Sequence, residues 1–267
     1  MTVDEVGLLE RFGALVQREP VPLGEAALVA AAVLGAREPI EVGIARLQEL
    51  AVGVPGTRPD LADVTEHLCT TVGFRGDRRS YYSPLNSSLP DVVRRRRGIP
   101  VTLAIVAVDV ARRRGIEATV VGMPGHVLVG DGDPPSRWCD VFEGGAWLDA
   151  LGARARFAAL HGRHAPFDPR FLDAAPDPAV LARLLANLVG IHRASGDGHG
   201  HVRTLLLRAQ IPGLAEAERP QLAEALTAVG RFQEAAEVWQ AEADAALPGD
   251  PDPLPGVQAA RQRARLN

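Results

Sequence analysis

Residues 100–114, PVTLAIVAVDVARRR, form a helix-length segment that is apolar on nearly all sides until its last turn. A surface helix keeps a polar face; a helix without one must be covered on every side by the rest of the fold. Pro100 opens the segment, where a missing N–H is tolerated, and Gly115 stops it. The run from Val101 to Val108 is far too short to span a bilayer. The chain must therefore build a globular shell around this helix, and 267 residues at 46% hydrophobic suffice for one large domain or two modest ones.

The shell can be read on either side of it. Leu8, Leu9, Phe12, Leu15 and Val16 make a helical stripe, broken by Pro20-Val-Pro22. An alanine-rich helix over 23–35, a third over 40–52 and a fourth capped by Asp60 follow, so residues 1–72 read as a helical N-terminal lobe. Turn formers fill 73–86, and a short helix is expected from about Ser88 to Arg97, ended by Gly98. From Glu117 the pattern changes to short strands at 118–122, 126–129, 138–141 and 146–149, an antiparallel sheet on the buried helix and hence an α+β core over 73–165. Residues 179–247 read as two antiparallel helix pairs. The string Leu222-Ala-Glu-Ala-Leu-Thr-Ala-Val-Gly-Arg-Phe-Gln-Glu-Ala-Ala resembles a tetratricopeptide hairpin, which makes the C-terminal region all-α. Residues 248–267, opening on interleaved proline, glycine and aspartate, read as a flexible tail.

Composition removes several chemistries. All 29 basic residues are arginine, so Schiff-base, Walker and kinase lysines are excluded. The two cysteines, Cys69 and Cys139, lie in no CxxC, which leaves zinc ribbons and disulfide frameworks without support. Reduced thiols and an acidic N-terminus, Met1-Thr-Val-Asp-Glu, point to a cytoplasmic protein with no membrane partner. Arg94–Arg97 and Arg112–Arg114 each fall in the last turn of an expected helix before a glycine, where cations offset the helix dipole and the glycine forms a left-handed cap. With net charge −4 and no interleaved base-stacking aromatics, nucleic acid is not expected as a partner. His161-Gly-Arg-His164 and His199-Gly-His201 fall in expected loops without further ligands at metal spacing, so neither a metal nor another cofactor is expected.

The ordered set Gly73-Phe-Arg-Gly, Tyr82, Asn86-Ser87, Arg97-Gly-Ile-Pro-Val-Thr-Leu103, Arg114-Gly-Ile116, Gly122-Met-Pro-Gly-His126 and Asp140-Val-Phe-Glu-Gly-Gly145 resembles the SirB-type branch of the transglutaminase-like superfamily. That resemblance implies a papain-like core. It also implies a cysteine at the start of the central helix, a histidine base on the adjacent strand and an acid on the next one. Here the histidine corresponds to His126 and the acid to Asp140, with Asp149 as a competitor for the acid. The helix start reads Ile99-Pro-Val-Thr102, with no cysteine. Thr102 is then the candidate nucleophile, although a first-turn threonine more commonly bonds backbone groups. Cys139 neighbours Asp140 on a strand and should turn to the opposite face; Cys69 reads as core packing.

Asn86 and Ser87 are either a helix cap with an Asx turn or, with Tyr82, the mouth of a binding site. Two functions follow from the resemblance. One is a protein without the nucleophilic cysteine that serves as a binding or scaffold protein for a protein or peptide partner. The other is a cryptic acyl-transfer enzyme or amidase using His126 and Asp140 with Thr102 or an activated water.

Overall fold

The computed structural model describes residues 3–245 and 254–266. It divides into two compact units, residues 18–184 and residues 1–17 with 185–267.

In the first unit the buried helix organises everything else. The helices of the chain up to that point are α1 (Val3–Val16), α2 (Leu23–Val33), α3 (Ile40–Gly53), α4 (Leu61–Glu66), α5 (Leu89–Arg95) and the central α6 (Pro100–Arg113). Every residue of α6 from Pro100 to Ala111 is buried. Helices α2, α3, α4 and α5 pack on it from several sides, and the first two strands of the main sheet close the rest. Leu103, Ile105, Val106, Val108 and Val110 are at most 1% exposed, and each such side chain stabilises the fold by roughly 1.5–3 kcal/mol relative to exposure. The carboxylate that α6 itself carries is satisfied. Asp109 accepts from the Gly24 N–H at 3.2 Å and from Arg113 Nε at 2.6 Å. Gly24 must be glycine for this approach, because a Cβ there would stand 2.5 Å from Asp109 Oδ1.

A π-helical turn, His67–Val72, continues α4 and ends on left-handed Gly73. Two short strands then pair in parallel, β1 (Arg75–Gly76) with β2 (Arg97–Gly98). The main sheet is antiparallel in the order β3 (Ala118–Val121), β4 (Leu128–Asp131), β5 (Trp138–Asp140) and β6 (Ala146–Leu148). One face carries Val121, Leu128 and Trp138 against Ala153 and Leu172. Those partners come from α7 (Ala150–His161) and the short 3-10 turn Pro169–Leu172, and Trp138 Nε1 donates to the Leu172 carbonyl at 3.1 Å. The next helix, α8 (Asp177–Ser195), is divided between the units after Leu184.

The second unit joins α1 to α9 (Gly198–Arg208), α10 (Ala215–Ala228), α11 (Phe232–Ala245) and α12 (Leu254–Leu266). Successive helices from α9 to α12 pack on one another, around Val202, Leu205, Leu222, Leu226 and Ala235. Glu5 of α1 is paired with Arg203 of α9 at 2.8 Å.

Several expectations change. Helix α1 groups with the C-terminal helices instead of the lobe drawn over 1–72, because its apolar stripe says only that it needs cover, not whose. The tail expected to be flexible over 248–267 forms α12 from residue 254, with Val257 and Ala260 buried at helical spacing; residues 248–253 lie outside the described residues. The short helix ends at Arg95 instead of Arg97, since Arg97 and Gly98 are drawn into β2. The left-handed cap is accordingly Arg96, at φ 57°, and not Gly98. His199 and His201 lie in the first turn of α9, not in a loop.

Candidate functional site

The turn Met123–Gly125 leads from β3 toward β4, and the His126 N–H donates to the Met123 carbonyl at 3.0 Å. That bond extends the turn, so β4 begins at Leu128 and His126 precedes the strand instead of opening it. Asp140 closes β5 and is fully buried. His126 Nε2 and Asp140 Oδ2 are 2.8 Å apart.

Asp140 is held from every side. Arg156 of α7 brings Nε to 3.4 Å from the same Oδ2, and the Glu143 backbone N–H donates to Oδ1 at 3.1 Å. Arg156 also reaches Glu143, at 3.4 Å, and Glu143 pairs in turn with Arg78. A carboxylate only accepts, so Nε2 is the donor of this pair, and in that tautomer the ring's lone pair falls on Nδ1. Nδ1 makes no hydrogen bond among the described residues. This is the arrangement of a base and its orienting acid.

Aromatic rings pack beside the imidazole. Phe142 meets it edge-on at 6.0 Å between centroids, and Tyr81 meets Phe142 at 6.2 Å. Gly76 of β1 gives Phe142 its place, since a Cβ there would run into the ring. Arg183 of α8 donates to the Met123 carbonyl at 3.1 Å. Burial lowers the pKa of its guanidinium, with Tyr81 opposing that shift, while burial raises the Tyr81 hydroxyl.

The candidate nucleophiles lie elsewhere or are engaged. Thr102 is completely buried at the start of α6. Its Oγ1 lies 2.8 Å from the Asn86 carbonyl and 3.0 Å from the Ile99 carbonyl, and it accepts from the Ile99 N–H at 3.1 Å. Cys139 pairs with Val129 and Trp147 and alternates away from Asp140, with Thr65 as a hydrogen-bond neighbour. Burial pushes the thiols of Cys69 and Cys139 up to about 12, so both are protonated near neutrality and neither offers a thiolate. Asp149 caps α7 by accepting from the Gly152 N–H at 2.7 Å.

Asn86 is entirely buried as well. Its amide donates to the Ser80 carbonyl at 2.7 Å, and its Oδ1 accepts from Arg95 at 3.0 Å, so it pins the loop from Ser80 onto α5. Ser87 is buried with an Oγ that has no hydrogen-bond partner among the described residues. Tyr82 is 81% exposed and touches the group through Tyr81, edge-on at 5.2 Å. Among the described residues no set of three or more His, Cys, Asp or Glu side chains is placed to hold a metal ion. Sequence reasoning did not single out Arg156, Arg183 or Phe142 as site residues. Phe142 and Glu143 stood inside a quoted motif, whereas the two arginines come from helices with no local signal of their destination.

Residues 36–186 match the model of the transglutaminase-like superfamily core. The chain belongs to the transglutaminase-like superfamily. Among its relatives is a UPF0162 protein of Xylella fastidiosa, 38% identical over 136 residues, which make up 49% of this chain and 48% of that one. The chain thus spans about half the length of that relative. A UPF0162 protein of Pseudomonas aeruginosa is 31% identical over 193 residues, covering 67% of this chain and 68% of the relative. Mouse F-box only protein 21 is 28% identical over 135 residues, 46% of this chain but 20% of the longer relative. No helix among the described residues is long and apolar enough to cross a membrane.

Proposed function

We propose that this transglutaminase-like domain, of SirB type, is a binding or scaffold domain for a protein or peptide in the cytoplasm, having lost the thiol chemistry of its superfamily. Its C-terminal helices, similar to tetratricopeptide hairpins, would extend that role. The observation that carries the reading is Thr102. At the position where the superfamily resemblance puts the nucleophile, a fully buried hydroxyl is already bonded to the backbone of Asn86 and Ile99. A hydroxyl is a far weaker acid than a thiol, and one held on backbone carbonyls is not aimed at a base. The same domain occupying a fifth of F-box only protein 21 supports a portable module.

A second reading rests on the His126 lone pair. With Asp140 orienting Nε2 and Nδ1 unbonded, His126 could activate a water for amide hydrolysis. The two readings separate experimentally. Purified full-length chain and His126→Ala are assayed against a panel of glutaminyl and acyl-peptide substrates, and both are used for affinity capture from a lysate. The binding reading expects no His126-dependent turnover and a specific partner retained by the wild type. Hydrolysis abolished in His126→Ala would replace it with the second reading.

A further inference from the structure

Seven arginines lie between positions 75 and 97, and the acids that could neutralise them are already engaged. Asp77 is bonded to Arg95, Asp91 to Arg94 and Ser88, and Glu143 to Arg78 and Arg156. Arg75 and Arg96 are exposed and carry no ion pair among the described residues. Arg97 donates to the carbonyls of Gly73, at 3.2 Å, and Arg96, at 2.8 Å, and makes no ion pair among the described residues.

Two features of this cluster work against the fold. Arg75 and Arg97 are direct partners across β1 and β2, and like charges placed opposite each other destabilise a strand pair. Arg97 records this: burial lowers its pKa first, and Arg75 and Arg95 lower it further against the pull of Asp77. Arg96 is the one non-glycine residue with positive φ among the described residues. Glycine or asparagine normally holds such a left-handed cap, and another residue there is strained. The other arginine run shows the ordinary solution, with left-handed Gly115 following Arg114. Repulsion and strain kept together at one exposed edge, with no return inside the folded chain, are expected where a ligand supplies the missing charge.

We propose that Arg75, Arg96 and Arg97 form a docking face for an acidic segment of a partner protein. It does not depend on the reading given to the His126 cleft. Three guanidinium groups on a two-residue strand pair and its adjoining cap match two or three neighbouring carboxylates. A nucleic-acid track needs a longer basic surface, and a chain of net charge −4 repels an extended polyanion beyond the patch. Exposed Tyr82 and Leu85 lie in the loop that Asn86 pins beside Arg95, so the favoured segment mixes acidic with apolar side chains.

The test is fluorescence anisotropy of a short fluorescein-labelled glutamate–leucine peptide titrated with full-length protein at low and at physiological salt. The wild type should bind, more weakly as salt rises. Arg75→Glu should weaken binding by about five- to tenfold, and Arg154→Glu, on exposed α7 surface, should leave it unchanged. Arg96→Gly separates a structural from a recognition role: it should raise the melting temperature, by relieving the strained cap, while weakening the peptide. No binding by the wild type, binding unchanged in both Arg75→Glu and Arg96→Gly, or tighter binding of oligothymidylate than of the peptide would each overturn the proposal.

Discussion

The start of α6 carries the candidate nucleophile Thr102 and the end of β5 carries Asp140 with its partner His126, and the fold treats them in opposite ways. At the start of α6 the Thr102 hydroxyl is taken up by the Asn86 and Ile99 backbone. At the end of β5, Asp140 is held by an arginine and an N–H in addition to His126, and the imidazole still has a nitrogen to offer. A polar group can belong to the scaffold or be available to a ligand, and the difference lies in how many of its bonding positions the fold has filled. Thr102 has its bonding positions filled by backbone, while His126 beside Asp140 keeps one ring nitrogen unbonded.

Substitutions can sharpen that contrast. Asp140→Ala should cost the most, about 3–5 kcal/mol in chemical denaturation, because it leaves the Arg156 charge and the Glu143 N–H without their buried acceptor. Thr102→Val should follow at about 2–4 kcal/mol, since a buried carbonyl and a buried N–H each lose their partner. Thr102→Ser should recover most of that loss. A Thr102→Val protein as stable as wild type would mean that the hydroxyl is not scaffold, and the contrast would fail. His126→Ala should cost less, roughly 1.5–3 kcal/mol for one hydrogen bond to a charged group, because Asp140 keeps its other donors. A loss equal to that of Asp140→Ala would make the imidazole scaffold too.

At neutral pH the thiols give the smallest effect. Both should resist alkylation in the folded protein at neutral pH and react at once in denaturant. The sign of the pH dependence follows from protons held. The folded thiols keep theirs up to about 12, whereas unfolded ones lose theirs from about 9. Between those values the folded state binds more protons, so stability should fall as pH rises from 9 toward 12 and be insensitive to these groups below 9. Stability rising over that interval would show the thiols in a polar environment.

Local signals in the chain carried a good part of this. The polarity pattern of 100–114 made α6 a buried helix, and turn clusters separated four strands whose order in the sheet is their order in sequence. What escaped depended on partners distant in sequence. Gly98 looked like the cap after Arg94–Arg97, but pairing with β1 drew Arg97 and Gly98 into a strand and moved the cap to Arg96. His126 looked like a strand residue, but its N–H completes the Met123 turn. The hydrophobic stripe of α1 made a helix without naming the unit it joins. The local sequence makes Asn86 a cap or a pocket-mouth residue; its bonds to Ser80 and Arg95 make it a loop pin. Arg156 and Arg183 reach the site from α7 and α8, and nothing near them in sequence marks that destination.

The most direct measurement of whether a nucleophile serves His126 is intact-mass spectrometry of the full-length protein after incubation with an activated acyl ester, followed by peptide mapping. The account predicts no stoichiometric adduct on Thr102, Ser87, Cys69 or Cys139, and no difference between wild type and His126→Ala. A single acyl adduct on one of these residues, formed by the wild type and absent from His126→Ala, would contradict it and make the site a working acyl-transfer centre.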